Sequence, residues 1–540
     1  MISGLMQDAP LQISSVLRYA AQAHPGREIV SRLLDEPLWR YDYLGLAARS
    51  AKLAHALGRL GVASGERVST LAWNTHRHLE MFFGVTGIGA VLHTANPRLS
   101  DEQLAFTIDH AGSRILFFDR NLLALVERLA PRLETVRTFV MMCAPEVHAS
   151  GAVDALCYES LLAPEPCDFA WPVFDEGAAA FLCYTSGTTG DPKGALYSHR
   201  AVVLHAMGAG LNAAFGFTAF DVVMPCSSLY HATAWGVPFV APICGAKIVL
   251  PGDRMDGASL HELIAGEGVT FTGGVPTIWT MYLAYLDQTG QRPETLRRVV
   301  IGGSAVPRAM AETFKARYGV ETLQVWGMTE TCPIGVIASP TPALAELGED
   351  EMQEIIWTRQ GRLQFGIELR IEDEEGRELA WDGETSGALK VRGPWVVRRY
   401  YRQEDDVIDS EGWFDTGDIA TIDRNGFLRI TDRTKDVIKS GGEWISSIDL
   451  ENIAAGCPGV RIAAVIGVAH PRWEERPLLI IETHEGMALD VQQVLAFLEP
   501  RIAKWWTPDE IIFERIPLTS TGKIDKKALR DVYRNRLAAC

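Results

Sequence analysis

The stretch Tyr184-Thr185-Ser186-Gly187-Thr188-Thr189-Gly190-Asp191-Pro192-Lys193-Gly194 decides what this chain can be. It gathers short hydroxyls, glycines and one lysine directly behind the apolar run at 178–183. A buried strand that ends in such a loop offers bare backbone N–H groups and hydroxyls to a polyanion, because glycine permits close approach and positive φ. Lys193 adds a point charge. The loop is not of the Walker type, which needs Gly-Lys-Ser/Thr, whereas Pro192 precedes and Gly194 follows this lysine. The competing reading is a surface turn, since Gly, Thr and Asp are common in loops; eleven such residues in this order favour phosphate handling.

Working outward, strand-like and helix-like segments alternate. Residues 47–60 have helical apolar spacing ending at Gly61, 67–72 and 114–118 read as buried strands, and Ser100-Asp101-Glu102-Gln103 is a capping box. The alternation continues from 202 to 319, with strands at 246–250 and 298–301. The expected fold class is therefore α/β, with parallel-type sheets flanked by helices. Ligands of such sheets lie beyond the carboxyl ends of strands, where the loops opening at Thr185 and at Gly302-Gly303-Ser304-Ala305-Val306-Pro307 both sit. After about Gly361, segments 364–372 and 388–392 read as strands of a small β-rich unit. Strands at 463–468 and 478–482, with helices at 491–503 and 526–537, predict a small α+β C-terminal domain. The expected division is 1–431, a linker at 432–437, and 438–540.

A chain of 540 residues with 47% hydrophobic and 22% charged residues is ordinary for a multi-unit soluble protein. Its net charge of −17 argues against general nucleic-acid binding, so an anionic ligand must meet local positive charge. Nine cysteines without metal-like spacing read as reduced thiols, predicting a cytoplasmic protein. The N-terminal residues lack the pattern of a signal peptide, and no apolar run predicts a transmembrane segment; peripheral membrane contact stays open.

Five further segments follow in order: Tyr230-His231-Ala232-Thr233-Ala234-Trp235, Gly302-Gly303-Ser304-Ala305, Val325-Trp326-Gly327-Met328-Thr329-Glu330-Thr331, Trp413-Phe414-Asp415-Thr416-Gly417-Asp418, and Asp432 through Lys439-Ser440-Gly441-Gly442-Glu443-Trp444. Thr521-Gly522-Lys523 comes last. With the opening loop, this set resembles the adenylate-forming family of acyl-CoA synthetases, luciferases and peptide-synthetase adenylation domains. The stretches 93–100 and 439–446 are similar to its fatty-acyl-CoA synthetase and 3-methylmercaptopropionyl-CoA ligase branches.

The resemblance, which covers nearly the whole chain, implies a large N-terminal domain, a small mobile C-terminal domain, and ATP, Mg2+ and coenzyme A as cofactors. It implies that Thr185, Ser186, Gly187, Thr188, Thr189, Gly190 and Lys193 cradle phosphates. Glu330, with Thr185, would hold Mg2+, and one carboxylate leaves most octahedral positions to phosphate and water. Met328 and Thr329 would lie along the nucleotide, with Thr329 against the α-phosphate. Asp418 would accept from the ribose hydroxyls. Gly303, Ser304, Ala305, Trp326 and Gly327 would surround adenine, with Trp326 as the aromatic face. Lys523 matches the adenylation lysine, Arg433 a nucleotide contact and Lys435 the hinge. Rotation of the small domain would then exchange Lys523 for Lys439, Gly441, Gly442 and Trp444 on the CoA side.

Tyr230, His231, Trp235, Thr277, Gly302, Val325, Cys332 and Pro333 are the expected acyl pocket. His231 would also touch the reaction centre. His231 and Trp235 are four apart and share a face if helical. Amino-acid-activating relatives carry Asp where this chain has His231, so an α-amino group lacks a counter-charge here. The substrate expected is a small-molecule carboxylic acid of medium or long aliphatic chain, with 3-methylmercaptopropionate or another short or aromatic acid as the alternative. Remoter readings are a non-catalytic carboxylate sensor and an adenylation enzyme that loads a carrier protein; no carrier domain is expected after Lys523. A homodimer is expected only from relatives.

Overall fold

A computed structural model of the chain describes residues 4–34, 36–149, 151–185, 191–440, 443–519, 522–534 and 536–537. Ser186, Gly187, Thr188, Thr189, Gly190, Gly441, Gly442 and Thr521 lie outside the described residues, as do the side chains of Glu443 and Trp444. Among the described residues the strands form three sheets.

The first sheet runs Ala155–Cys157, Thr138–Met142, Ile115–Asp119, Arg67–Leu71, Val91–Ala95 and Ala179–Tyr184, all parallel, and Gly194–Ser198 closes one edge antiparallel. Continuously apolar strands such as Ile115-Leu116-Phe117-Phe118 have both faces covered by helices, which is why they are buried at every position. The helix Asp101–Ala111 begins with the expected capping box and ends at left-handed Gly112.

The second sheet has a parallel centre, from Glu28–Ser31 through Lys247–Leu250, Val222–Pro225, Phe271–Gly274 and Arg298–Gly302 to Glu321–Gly327. It continues antiparallel through Ile334–Ile337 and Gly361–Leu363 into Phe427–Arg433, Phe414–Ile422, Gly387–Arg392 and Glu368–Glu372. The β-rich segment is thus hydrogen-bonded into the large sheet and is not a separate unit. The strand expected over 364–372 begins only at Glu368, because Gly366 at φ 104 turns the chain before it.

The third sheet, residues 438–513, has the long antiparallel pair Val460–His470 and Glu474–Thr483 at its centre. The helix expected at 491–503 stops at Leu498 because Pro500 cannot continue it, and the last helix spans Lys526–Tyr533. No helix among the described residues is long and apolar enough to cross a membrane.

Candidate active site

The carboxyl ends of the two parallel sheets and one turn of the third unit meet at a single place. In the first sheet, Ala179–Tyr184 leads into the glycine-rich loop and Gly194–Ser198 leads out. The base of that loop is closed twice. Thr185 N–H donates to the Lys193 carbonyl at 2.9 Å, and Lys193 N–H donates to Thr185 Oγ1 at 3.3 Å. The Lys193 ammonium stands 5.1 Å from the centre of the Tyr400 ring, a cation–π distance.

In the second sheet, Arg298–Gly302 and Glu321–Gly327 end side by side. A Cβ on Gly302 would stand 2.4 Å from Val325 Cγ2, and Gly303 has φ 85. Only glycine lets the chain turn here against its neighbour strand. Ser304 is exposed and Ala305 half-buried beyond it. Gly327 is equally constrained, since its Cβ would lie 1.9 Å from the Pro333 carbonyl.

Asp418 is buried at 5% exposure. Trp326 Nε1–H donates to its Oδ2 at 2.9 Å, and Arg433 Nε approaches Oδ1 at 3.5 Å. Burial pushes the Asp418 carboxyl above its ordinary value, while Arg433 and the indole N–H oppose that shift. The Trp326 ring packs over Gly335, where a Cβ would meet it at 2.6 Å, so its visible task is to fix Asp418 by its edge.

Thr329, Glu330 and Thr331 form a short 3-10 turn and are all buried. The Thr329 carbonyl accepts from the Tyr197 hydroxyl, and the Glu330 carbonyl accepts from Val397 N–H at 2.8 Å. Glu330 Oε1 accepts from the Tyr400 hydroxyl at 2.7 Å. Met328 is half-buried beside them. Tyr400 and Val397 belong to no pattern in the sequence; they lie 70 and 67 residues from Glu330, and only the return of the chain over the sheet brings them there.

The third unit contributes Lys523. Its turn is closed by Thr519 N–H donating to the Lys523 carbonyl at 2.7 Å, and Gly522 at φ 78 lies against Thr277, whose Oγ1 would be 3.2 Å from an added Cβ. Behind it, Lys526 pairs with Glu451 at 2.8 Å and Arg530 with Asp436 at 2.6 Å. Burial and the neighbouring Arg433 push the Lys523 ammonium down to about 8, against the pull of Asp418 and Glu330. Lys523 thus lies within electrostatic reach of Asp418, Glu330 and Arg433. Lys439, by contrast, is exposed on Ile438–Ser440, with its N–H on Glu475 Oε2 at 3.1 Å, and Lys435 is exposed in the turn between the second and third sheets.

The segment after His231 corrects the helical expectation. Ala232, Thr233, Ala234 and Trp235 have φ of 41, 49, 52 and 57, and Gly236 follows at 79, so the turn is left-handed. Each non-glycine residue there costs roughly 1–2 kcal/mol, and complete burial of the turn holds it. His231 and Trp235 therefore do not share a helical face. The turn instead lays the Trp235 indole 4.0 and 3.9 Å from where Cβ atoms of Gly273 and Gly303 would be. His231 is pushed down to about 4 by burial and by Lys523, so its imidazole is neutral at neutral pH.

Tyr230, Val325, Cys332 and Pro333 are all buried, and Val325 and Cys332 share one apolar core with Trp235. Burial holds the Cys332 thiol well above its ordinary value, which leaves it protonated and a poor nucleophile.

Among the described residues no three His, Cys, Asp or Glu side chains converge as a metal cage. Glu330, a buried carboxylate at the end of the second sheet, suits a hard cation that keeps water and phosphate as its other ligands. The glycine ledge, the buried Asp418 and the hydroxyl-rich loop suit a nucleotide.

The family model for AMP-binding enzyme matches residues 17–401, and that for the AMP-binding enzyme C-terminal domain matches 449–523. The chain belongs to this family of adenylate-forming acid–CoA ligases. It is 45% identical to a 3-methylmercaptopropionyl-CoA ligase of Ruegeria lacuscaerulensis over 99% of each chain. It is 42% identical to a medium-chain-fatty-acid–CoA ligase of Ectopseudomonas oleovorans, over 98% of this chain and 97% of that one. A long-chain-fatty-acid–CoA ligase of Thermus thermophilus is 44% identical over the same shares. The fold matches an anthranilate CoA ligase solved with anthranoyl-AMP at a TM-score of 0.86, with 24% identity, over 99% of this chain and 100% of that chain. Family membership carries with it ATP, Mg2+ and CoA as the reactants and ion of the reaction.

Proposed function

We propose that this family member joins a carboxylic acid with an uncharged aliphatic chain to CoA through an acyl-adenylate, with the residues described above in the following roles. The observation that carries the reading is Lys523, brought from the third unit on a turn that rests against Thr277, within electrostatic reach of Asp418 and Glu330. Attack of a carboxylate on the α-phosphorus brings two anions together, so neutralising charge is the main catalytic task. Lys193 and the loop hydroxyls would hold the outer phosphates, Asp418 the ribose, and Lys523 the oxygens at the reacting phosphorus. Bound Mg2+ would supply further charge neutralisation from Glu330. Neutral His231 neither repels nor attracts the incoming carboxylate by charge.

The acyl end would lie against Trp235, Tyr230, Val325, Cys332 and Pro333. None of these carries a charge, so an α-amino group or a second carboxylate finds no partner among them. The linker 432–437 would let the small unit rotate, withdrawing Lys523 and presenting Lys439 with the glycines at 441 and 442 to CoA. A second reading, a short thioether acid, is favoured by the relatives that are 45–46% identical. Trp235 fills space beside Gly273 and Gly303, which also suits a short acid.

AMP release across acids from acetate and 3-methylmercaptopropionate through hexanoate to palmitate separates the two readings. Turnover greatest on hexanoate and longer acids supports the fatty-acid reading, and turnover confined to the thioether acid and its short neighbours the second. Preference for an amino or dicarboxylic acid contradicts both. A cytoplasmic address follows from the need for ATP, CoA and reduced thiols together, and the described cysteines are all free. Sedimentation in the presence of ATP tests the homodimer suggested by relatives.

A further inference from the structure

The strap at 397–401, between strands Gly387–Arg392 and Phe414–Ile422, touches both halves of the phosphate site. Tyr401 N–H donates to the Gly194 carbonyl at 2.8 Å, at the exit of the glycine-rich loop. Val397 N–H donates to the Glu330 carbonyl at 2.8 Å, at the carboxylate-bearing turn. Between these two backbone bonds sits Tyr400, buried at 7% exposure. Its hydroxyl donates to Glu330 Oε1 at 2.7 Å, and its ring face receives the Lys193 ammonium at 5.1 Å. One side chain therefore engages the only cation on the described part of the loop by its face and the buried carboxylate by its tip.

A buried phenol needs an acceptor, and any carbonyl would satisfy it. Here the acceptor is an ionisable oxygen on a side chain with several rotamers. A hydrogen bond to a charged acceptor is strong and directional, so it fixes the carboxylate's orientation. The ring meanwhile gives Lys193 a resting place close to that carboxylate, which keeps two opposite charges in fixed relation across two separate sheets.

We propose that Tyr400 is a positioning residue that orients Glu330 for the divalent cation and registers Lys193 against it. This rests on the assignment of Glu330 to the metal made above. Its hydroxyl and ring engage Glu330 and Lys193, so its effect should fall on the phosphate–metal part of the site.

The test is Mn2+ binding, followed by electron paramagnetic resonance with a non-hydrolysable ATP analogue, in wild type, Tyr400→Phe, Glu330→Gln and the double variant. Tyr400→Phe keeps the ring and removes only the hydroxyl. It should weaken Mn2+ roughly tenfold, as expected for loss of one bond to a charged group. Binding of the analogue without metal should be unchanged, and kcat at saturating Mg2+ should stay within a few-fold while the Mg2+ requirement rises. In the Glu330→Gln background the same substitution should add little. Unchanged Mn2+ affinity in Tyr400→Phe, or equal weakening of metal-free nucleotide binding, overturns the proposal. Unchanged Mn2+ affinity in Glu330→Gln overturns the underlying metal assignment instead, so the two failures are distinct.

Discussion

The site is built from two regions made in opposite ways. On the large unit, Asp418, Glu330 and the glycine ledge are buried and each is fixed by a named partner: Trp326 and Arg433, Tyr400, and the Val325 backbone. On the small unit, Lys523 comes in on a glycine turn that rests against Thr277, while Lys439 waits exposed on another strand of the same unit. The difference teaches a division of labour. On the proposed roles, groups that would recognise the nucleotide in both half-reactions are preorganised on sheet ends, and groups needed in only one are mounted on the unit that would move.

The largest effect falls on the small unit. Lys523→Ala should cut adenylate formation on the order of a thousandfold, the scale of losing one preorganised charge at a reacting centre. Thioester formation from preformed adenylate should stay within a few-fold. Single-turnover assays of each step check this, and equal loss in both would erase the division. Asp418→Asn should weaken ATP binding about a hundredfold in both half-reactions, read by calorimetry; a loss in one step alone would put Asp418 in the wrong region. Trp326→Phe removes the N–H donor together with indole area packed over Gly335; it should raise the KM for ATP about tenfold and lower the melting temperature by a few degrees.

The pH dependence sharpens the same contrast. Burial and Arg433 push the Lys523 ammonium down to about 8, so it should be charged below that pH and neutral above it. The adenylation rate should therefore fall as pH rises through about 8, and substituting Lys523 with arginine should move that limb upward. His231, pushed down to about 4, should add no limb near neutrality. The smallest effect on ATP should come from Trp235→Ala, which should change the profile of acids accepted while leaving the KM for ATP within about twofold. An unchanged acid profile with weakened ATP binding would remove Trp235 from the acyl pocket.

Much of this was legible in the sequence because its signals are local. The capping box at Ser100 and the apolar strand at 115–118 fold by rules acting over a few residues, and both appear where expected. The glycines at 302 and 303 mark a turn that only close packing against Val325 makes obligatory. What stayed hidden depends on distant packing. The left-handed turn at 232–235 contradicts the local preference of alanine, threonine and tryptophan, and exists because its surroundings bury it completely. Tyr400 carries no motif, and its bond to Glu330 spans two parts of the large sheet that a sequence cannot place side by side. Nor does residue spacing reveal that Trp326 turns its edge to Asp418.

The central claim is that acid and ATP react on this chain before CoA is needed. Acid-dependent exchange of labelled pyrophosphate into ATP, measured without CoA and then with it, tests that claim directly. The account predicts exchange with an aliphatic acid in the absence of CoA, and AMP accumulation only once CoA is added. Exchange that requires CoA, or release of ADP and phosphate in place of AMP and pyrophosphate, would contradict it.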